Sequence, residues 1–207
     1  MNLILFLKRP FIWLSRFRHR CGYGVHSPFA FGLTDDVIYE KRPYYAYASL
    51  AVESRKRIND QGWDKGLNKV NRLLFRLVNR VQPQSIVEMG RLSMSSLYLQ
   101  TAKPSASFLF VSSLSELFLD ADIPIDFLYL NDYKQPRLME ETFQVCIKLV
   151  TTKSVFVING IHYSIAMKTF WKQLKEDNRV GITFDLYDVG IVFFDTSKIK
   201  QHYLVNF

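Results

Sequence analysis

Three short stretches hold residues whose types and spacing suit chemistry. In SIVEMGRLSMSSLYL (85–99) an apolar run ends in Glu88 and Gly90 and gives way to a helical pattern. A glycine at a strand-to-helix turn lets the backbone pass close to a ligand, and the next helix offers free N–H groups, so a nucleotide-like ligand would sit here. In IDFLYLND (125–132) and SVFVINGIHYS (154–164) two further apolar runs end in Asn131-Asp132 and Asn159-Gly160, and His162 follows the second. A histidine just past a strand end has a pKa near neutrality and can serve as general base toward a hydroxyl. The same residue serves equally as a structural histidine that caps the following helix or bonds a nearby carbonyl. His26, in GVHSPF, reads as a turn-fixing residue, with Ser27 as N-cap and Pro28 at the first helical position. The cysteines, Cys21 and Cys146, stand far apart with no His or Cys at metal-ligand spacing. They read as unpaired thiols in a reducing compartment, with Cys146 in a core.

Positioning these groups takes strands and helices in alternation. Val70, Leu73, Leu74, Leu77 and Val78 recur at helical spacing, and Pro83 ends that element. SIVEMG then reads as a strand, SSLYLQTA as a helix, SFLFVSS and IDFLYLND as strands, and QPRLMEETFQVCIKLV as a helix begun by Pro136. SVFVING is a fourth strand and SIAMKTFWKQLKED an amphipathic helix. The helix-poor, β-branched end from Val180 supplies two or three more strands, some antiparallel. Near-continuous apolar strands alternating with helices predict a Rossmann-like α/β fold: an open, mostly parallel sheet covered by helices on both faces. In the N-terminal part a helix-like run spans Phe29 to Ile38, a second helix is predicted from Pro43, and Gln61–Gly66 is the most loop-like segment. The predicted organisation is a helical extension over residues 1–62 and an α/β domain over 63–207.

Charge is distributed unevenly. Residues 1–80 carry 15 Lys/Arg against six Asp/Glu, whereas 81–207 carry 12 against 13. A hydrophobic share of 48% and a charged share of 22% exclude a disordered chain. No apolar run is long enough to span a bilayer. The first segment, MNLILFLKRPFIWLSRFRHR, lacks the order of a secretory signal, since Lys8 and Arg9 follow its apolar run. Its mixture of Trp, Phe, Leu and Arg suits either an interfacial helix at a membrane surface or a helix, or helix pair broken at Pro10, packed on its own domain. A basic, aromatic N-terminal part is compatible with single-stranded nucleic acid, but no nucleic-acid motif is present and such a partner is not expected.

The order of these pieces resembles the class I S-adenosylmethionine (SAM)-dependent methyltransferases, and most closely a small bacterial branch of O-methyltransferase-like proteins. GYGVHSPFAF (22–31), IVEMG followed by SSLYL, and the tail SVFVINGIHYS, FDLYDVGIVFF and HYLVNF carry the likeness, which covers nearly the whole chain. It implies SAM as the cofactor, with Glu88, Gly90, Ser112 and Asn131 at the cofactor and His162 nearest the chemistry. Four departures weaken that implication. The family's first turn has a second glycine a few residues on, whereas here the turn is one residue shorter and Arg91, Leu92 and Met94 stand where the family keeps space. The acidic residue expected at the next strand end is replaced by Ser112-Ser113, with Glu116 the substitute if the chain curls back. The stretch between FLFVSS and IDFLYLND is too short for the usual helix and strand, so a sheet of fewer than the usual seven strands is expected. Where catechol-methylating relatives place carboxylate ligands for a divalent cation, this chain has Asn131, Asn159 and Gly160, with Asp132 adjacent, so no metal is expected.

The expectation is a degenerate methyltransferase-like protein with impaired cofactor binding and lost catalysis. If active, it would transfer a methyl group to an oxygen or nitrogen of a small-molecule or protein acceptor. The alternative is a non-catalytic interaction protein that uses residues 1–20 at a membrane surface or on a protein partner, as a cytoplasmic chain and with self-association compatible with either reading.

Overall fold

The computed structural model describes residues 3–19, 27–117 and 123–207. Cys21 and the whole GYGVH stretch, 22–26, with His26, lie outside the described residues. The chain forms α1 (Leu3–Ser15), α2 (Pro28–Leu33), α3 (Tyr47–Gln61), α4 (Asn68–Val81), β1 (Ser85–Met89), α5 (Met94–Ala102), β2 (Ser107–Val111), β3 (Phe127–Leu130), α6 (Pro136–Cys146), β4 (Val155–Asn159), α7 (Ile165–Glu176), β5 (Ile182–Asp185), β6 (Val189–Phe193) and β7 (Gln201–Leu204). The strands make one sheet in the order β2-β1-β3-β4-β6-β5-β7. The first four pair in parallel, β6 runs antiparallel between β4 and β5, and β7 is parallel to β5. This is an α/β Rossmann-like sheet with an antiparallel C-terminal portion.

Period-two alternation divides the strand side chains between two cores. Ile86, Phe127, Tyr129, Val155 and Val157 face one side, where α4, α5 and the 28–50 segment pack. Val87, Met89, Leu128, Leu130, Phe156 and Ile158 face the other, beneath α6 and α7. Helix α4 earns its central place by burying Leu73, Leu74, Phe75, Leu77 and Val78 at helical spacing. Its buried Arg76 donates from Nε to the Val37 carbonyl (2.6 Å) and from Nη2 to that of Ile38 (3.3 Å), satisfying carbonyls at the end of the helical turn Thr34–Ile38. Local caps set two helix starts: Ser27 Oγ accepts from Ala30 N ahead of Pro28, and Ser164 Oγ from Met167 N (3.1 Å) ahead of α7.

Two sequence expectations are corrected. The sheet has seven strands, not fewer. The crossover from Val111 to Phe127 holds, among its described residues, only a single 3₁₀ turn, Leu114–Glu116, so β2 ends the sheet; β7, hydrogen-bonded along the far side of β5, restores the number. The helix expected from Pro43 begins at Tyr47, because Tyr44 lays its ring on Phe75 (5.4 Å) from ahead of the helix while Tyr47 does so from its first turn. Of the alternatives open for the first segment, the pair broken at Pro10 is not formed: α1 runs unbroken through the proline, held on both sides of it by Arg9 and Arg16.

Candidate functional site

The carboxyl ends of β1, β3 and β4 converge on a cavity of about 120 Å³ lined by Asp64, Asn71, Arg91, Ser93, Asn131, Asp132, Tyr133 and Tyr163, among others. Gly90 sits at φ +134°, and a Cβ there would lie 2.8 Å from the Asp132 backbone nitrogen. The loops after β1 and β3 therefore touch at this point, so the glycine is required by the fold whether or not a ligand approaches.

Asn131 is the hub of the polar network. Its Nδ2 donates to Ser93 Oγ (2.9 Å), to the Arg91 carbonyl (3.1 Å) and to Ser95 Oγ (3.2 Å). Its Oδ1 accepts from Asn159 Nδ2 (2.9 Å) and the Tyr129 hydroxyl (3.0 Å). Glu88 lies beneath this network, fully buried, with Oε1 accepting from Ser95 Oγ at 2.6 Å and Oε2 without a hydrogen-bond partner among the described residues. Burial pushes its carboxyl up to about 7, although the Ser95 hydroxyl pulls it the other way. Glu88 supports the floor and does not line the cavity.

The turn after Gly90 is closed from within. The Met94 N–H at the start of α5 donates to the Asp64 carbonyl (2.9 Å), Ser95 N is capped by Ser93 Oγ, and the Arg91 guanidinium stands 3.9 Å from the Asp64 carboxylate. Donors that a helix N-terminus would offer an anion are thus taken by the 63–66 loop and by the turn itself. At the end of β2 the Glu116 carboxylate does curl back, accepting from the Ser112 N–H (2.7 Å) and hydroxyl (3.0 Å). The Ser112 N–H holds that carboxyl below its usual range. Ser112 is thereby committed to Glu116 and is not part of the cavity lining. Asp132 accepts from Lys134 N (3.2 Å) and Gln135 Nε2 (2.8 Å), which anchors the entry to α6. Among the described residues no group of three metal-ligating side chains occurs.

His162 belongs to a second cluster. Its Nε2 faces Asp185 Oδ2 at 2.6 Å, and its ring stacks on Tyr187 with centroids 5.2 Å apart. Burial pushes the Asp185 carboxyl up, but His162 and Arg16 outweigh it and hold the group at about 2. Tyr187 occupies φ +68°, a left-handed conformation unusual for an aromatic residue and tolerated where neighbours over-determine it. Arg16 stacks over that ring at 5.3 Å while donating to Asp185 Oδ1 at 2.8 Å. Asp188 accepts from Arg9 (3.0 Å), Lys69 (2.6 Å) and the Tyr163 hydroxyl (2.6 Å). Cys146, buried in the α6 core with its thiol pushed up to about 12, is chemically inert.

Of the residues singled out in the sequence, Asn131 lines the cavity, Gly90 and Glu88 build its floor, and Ser112 and His162 are engaged elsewhere. The sequence reading passed over Asp185 and Asp188, which anchor the N-terminal helix, and Asp64, which closes the first turn. The signal for the first two was two carboxylates flanking a strand-to-strand turn, FDLYDVG, in a chain whose cations crowd its other end.

No protein-family model matches the chain, and no curated protein matches it in sequence. Solved structures do match it. The SAH-bound Podospora anserina methyltransferase PaMTH1 superposes with a TM-score of 0.53 at 11% identity, covering 82% of this chain and 96% of that one. The O-methyltransferase TomG from Streptomyces achromogenes, in complex with SAM, gives 0.53 at 16% identity over 80% and 96%. A Geobacter sulfurreducens methyltransferase gives 0.52 at 11% over 81% and 98%. The fold is that of the class I methyltransferases.

Proposed function

We propose that the chain is a methyltransferase-like protein whose SAM site is impaired and whose catalysis is lost. The observation that carries this reading is the filled first turn. Pockets for ligands of drug size run to about 300–1,000 Å³, whereas the cavity at Gly90 measures about 120 Å³. The Asp64 carbonyl and Ser93 occupy the N–H groups at the start of α5, and Arg91 crosses toward Asp64. The residues present do not fit the cofactor, and no methyl-transfer step is assigned to them. His162 fits the structural role better than the catalytic one, since Asp185 already engages its Nε2.

Titration calorimetry with SAM and S-adenosylhomocysteine tests the reading. No detectable heat, with an unmoved melting temperature at millimolar ligand, is the expected result, because a ligand that binds the native state must raise that temperature. Micromolar binding would overturn it and restore Glu88, Gly90 and His162 as the residues to pursue.

A second reading, a non-catalytic interaction protein working through its N-terminal segment, is favoured by the direction in which α1 presents its apolar side chains.

A further inference from the structure

Among the described side chains of α1, arginines face the protein and several bulky apolar groups face water, the reverse of an ordinary surface helix, which hides its apolar stripe and shows its charges. Arg9, Ile12 and Arg16, at spacings of three and four, share the side that meets the sheet. Arg9 and Arg16 grip Asp188 and Asp185 there. Leu7, Phe11 and Leu14, at spacings of four and three, share the opposite side and are 61%, 73% and 66% exposed. Arg18, exposed, follows in the 3₁₀ turn Phe17–His19 just past the helix. Ile165, at the start of α7 on the same carboxyl edge of the sheet, is 85% exposed. The described helices include none long and apolar enough to cross a membrane.

We propose that this face of α1 docks on the surface of an anionic phospholipid bilayer, with Leu7, Phe11 and Leu14 entering the headgroup boundary and Arg18 meeting the lipid phosphates. This rests on the interaction reading above. Charge complementarity selects the occupant: residues 1–20 hold five Lys/Arg and no Asp/Glu, Arg9 and Arg16 are engaged by Asp188 and Asp185, and Arg18 stays exposed just past the outward apolar side chains, the mixture that interfacial helices carry. A second copy of the chain docked through the same stripe would set one strongly basic segment against another, because a two-fold interface presents the same patch from both sides. The arginines that fix α1 to Asp185 and Asp188 keep the stripe outward without help from the lipid, so the surface is ready before contact.

The test is flotation of the full chain with vesicles of phosphatidylcholine alone and of phosphatidylcholine mixed with phosphatidylglycerol, alongside sedimentation velocity without lipid. The expected result is association with the anionic vesicles only, weakened by salt and by Arg18→Glu. The triple variant Leu7→Ser, Phe11→Ser, Leu14→Ser should lower partitioning about a hundredfold, from the apolar area withheld from the bilayer. Its melting temperature should stay unchanged because the three side chains are exposed. Anionic binding that the triple variant leaves intact would overturn the proposal. Absence of vesicle binding with a dimer that the triple variant dissociates would also overturn it while sustaining the interaction reading. Absence of both would overturn the proposal and leave the interaction reading to a different protein partner.

Discussion

Glu88 shows how its surroundings set what a carboxyl does. A carboxyl under Asn131, Ser93 and Ser95, fully buried and shifted from 4.5 to about 7, holds its proton in the folded chain where the unfolded chain has released it. Between those two values the native state binds more protons than the unfolded state, so stability is greatest below pH 4.5 on this account and declines as pH rises toward 7. Glu88→Gln should flatten that decline, and denaturant unfolding at a series of pH values from acid to neutral reads the slope directly. A variant with the same slope would assign the dependence to another group. Gly90 was legible as a special position, but its reason was not. The sequence suggests a ligand's close approach, whereas in the structure a Cβ at Gly90 would stand 2.8 Å from the backbone of the neighbouring loop, a juxtaposition of residues more than 40 positions apart that no local pattern encodes. His162 was recognised as a polar residue past a strand end, yet its partner Asp185 arrives from a different hairpin.

At the scale of elements, periodicity sufficed wherever one face of a segment is buried: β1 to β4 and α4 to α7 stand where alternation and helical spacing put them. It failed where polar partners decide. Helix α1 is oriented by Arg9 and Arg16 reaching carboxylates some 170 residues away, and its apolar positions, read alone, imply the opposite orientation. The Arg16–Asp185 pair is largely sheltered, with side chains 10% and 14% exposed. Removing either partner leaves the other's charge poorly solvated. Arg16→Ala or Asp185→Ala should cost about 2 kcal/mol or more, and the double variant should cost less than the sum. A double-mutant cycle in chemical denaturation measures this coupling; additive costs would mean that α1 is held by other contacts. Because the Asp185 carboxyl is held at about 2, below its usual 3.8, its contribution is fully present above pH 3.8 and is lost as pH falls toward 2. The acid limb of the stability profile should therefore shrink in Asp185→Asn.

For the whole molecule, alternation of strand and helix made the layer architecture legible from the sequence alone, and the short crossover after β2 was legible as a missing piece. The final number of strands was not, because β7 adds at the far edge by backbone hydrogen bonds that follow from the path of the chain and not from the character of Gln201–Leu204. Residues 28–50 contribute Ala30, Leu33, Val37 and Leu50 to the same core as α4 and the sheet.

The short crossover also leaves β2 as the last strand of the sheet, and its sequence is SFLFV, with no charge and no proline. Strands at such a position usually carry lysine, proline or a bulge that discourages a second sheet from adding on. A five-residue run of high β-propensity without these gatekeepers is a nucleation point for ordered aggregation once thermal fluctuation frees it. Phe110 is half-buried on this edge strand, so Phe110→Lys places a discouraging charge where water can still reach it. Light scattering during heating should show a later onset of aggregation in that variant at an unchanged unfolding midpoint. The short crossover thus also determines how the protein fails when it unfolds.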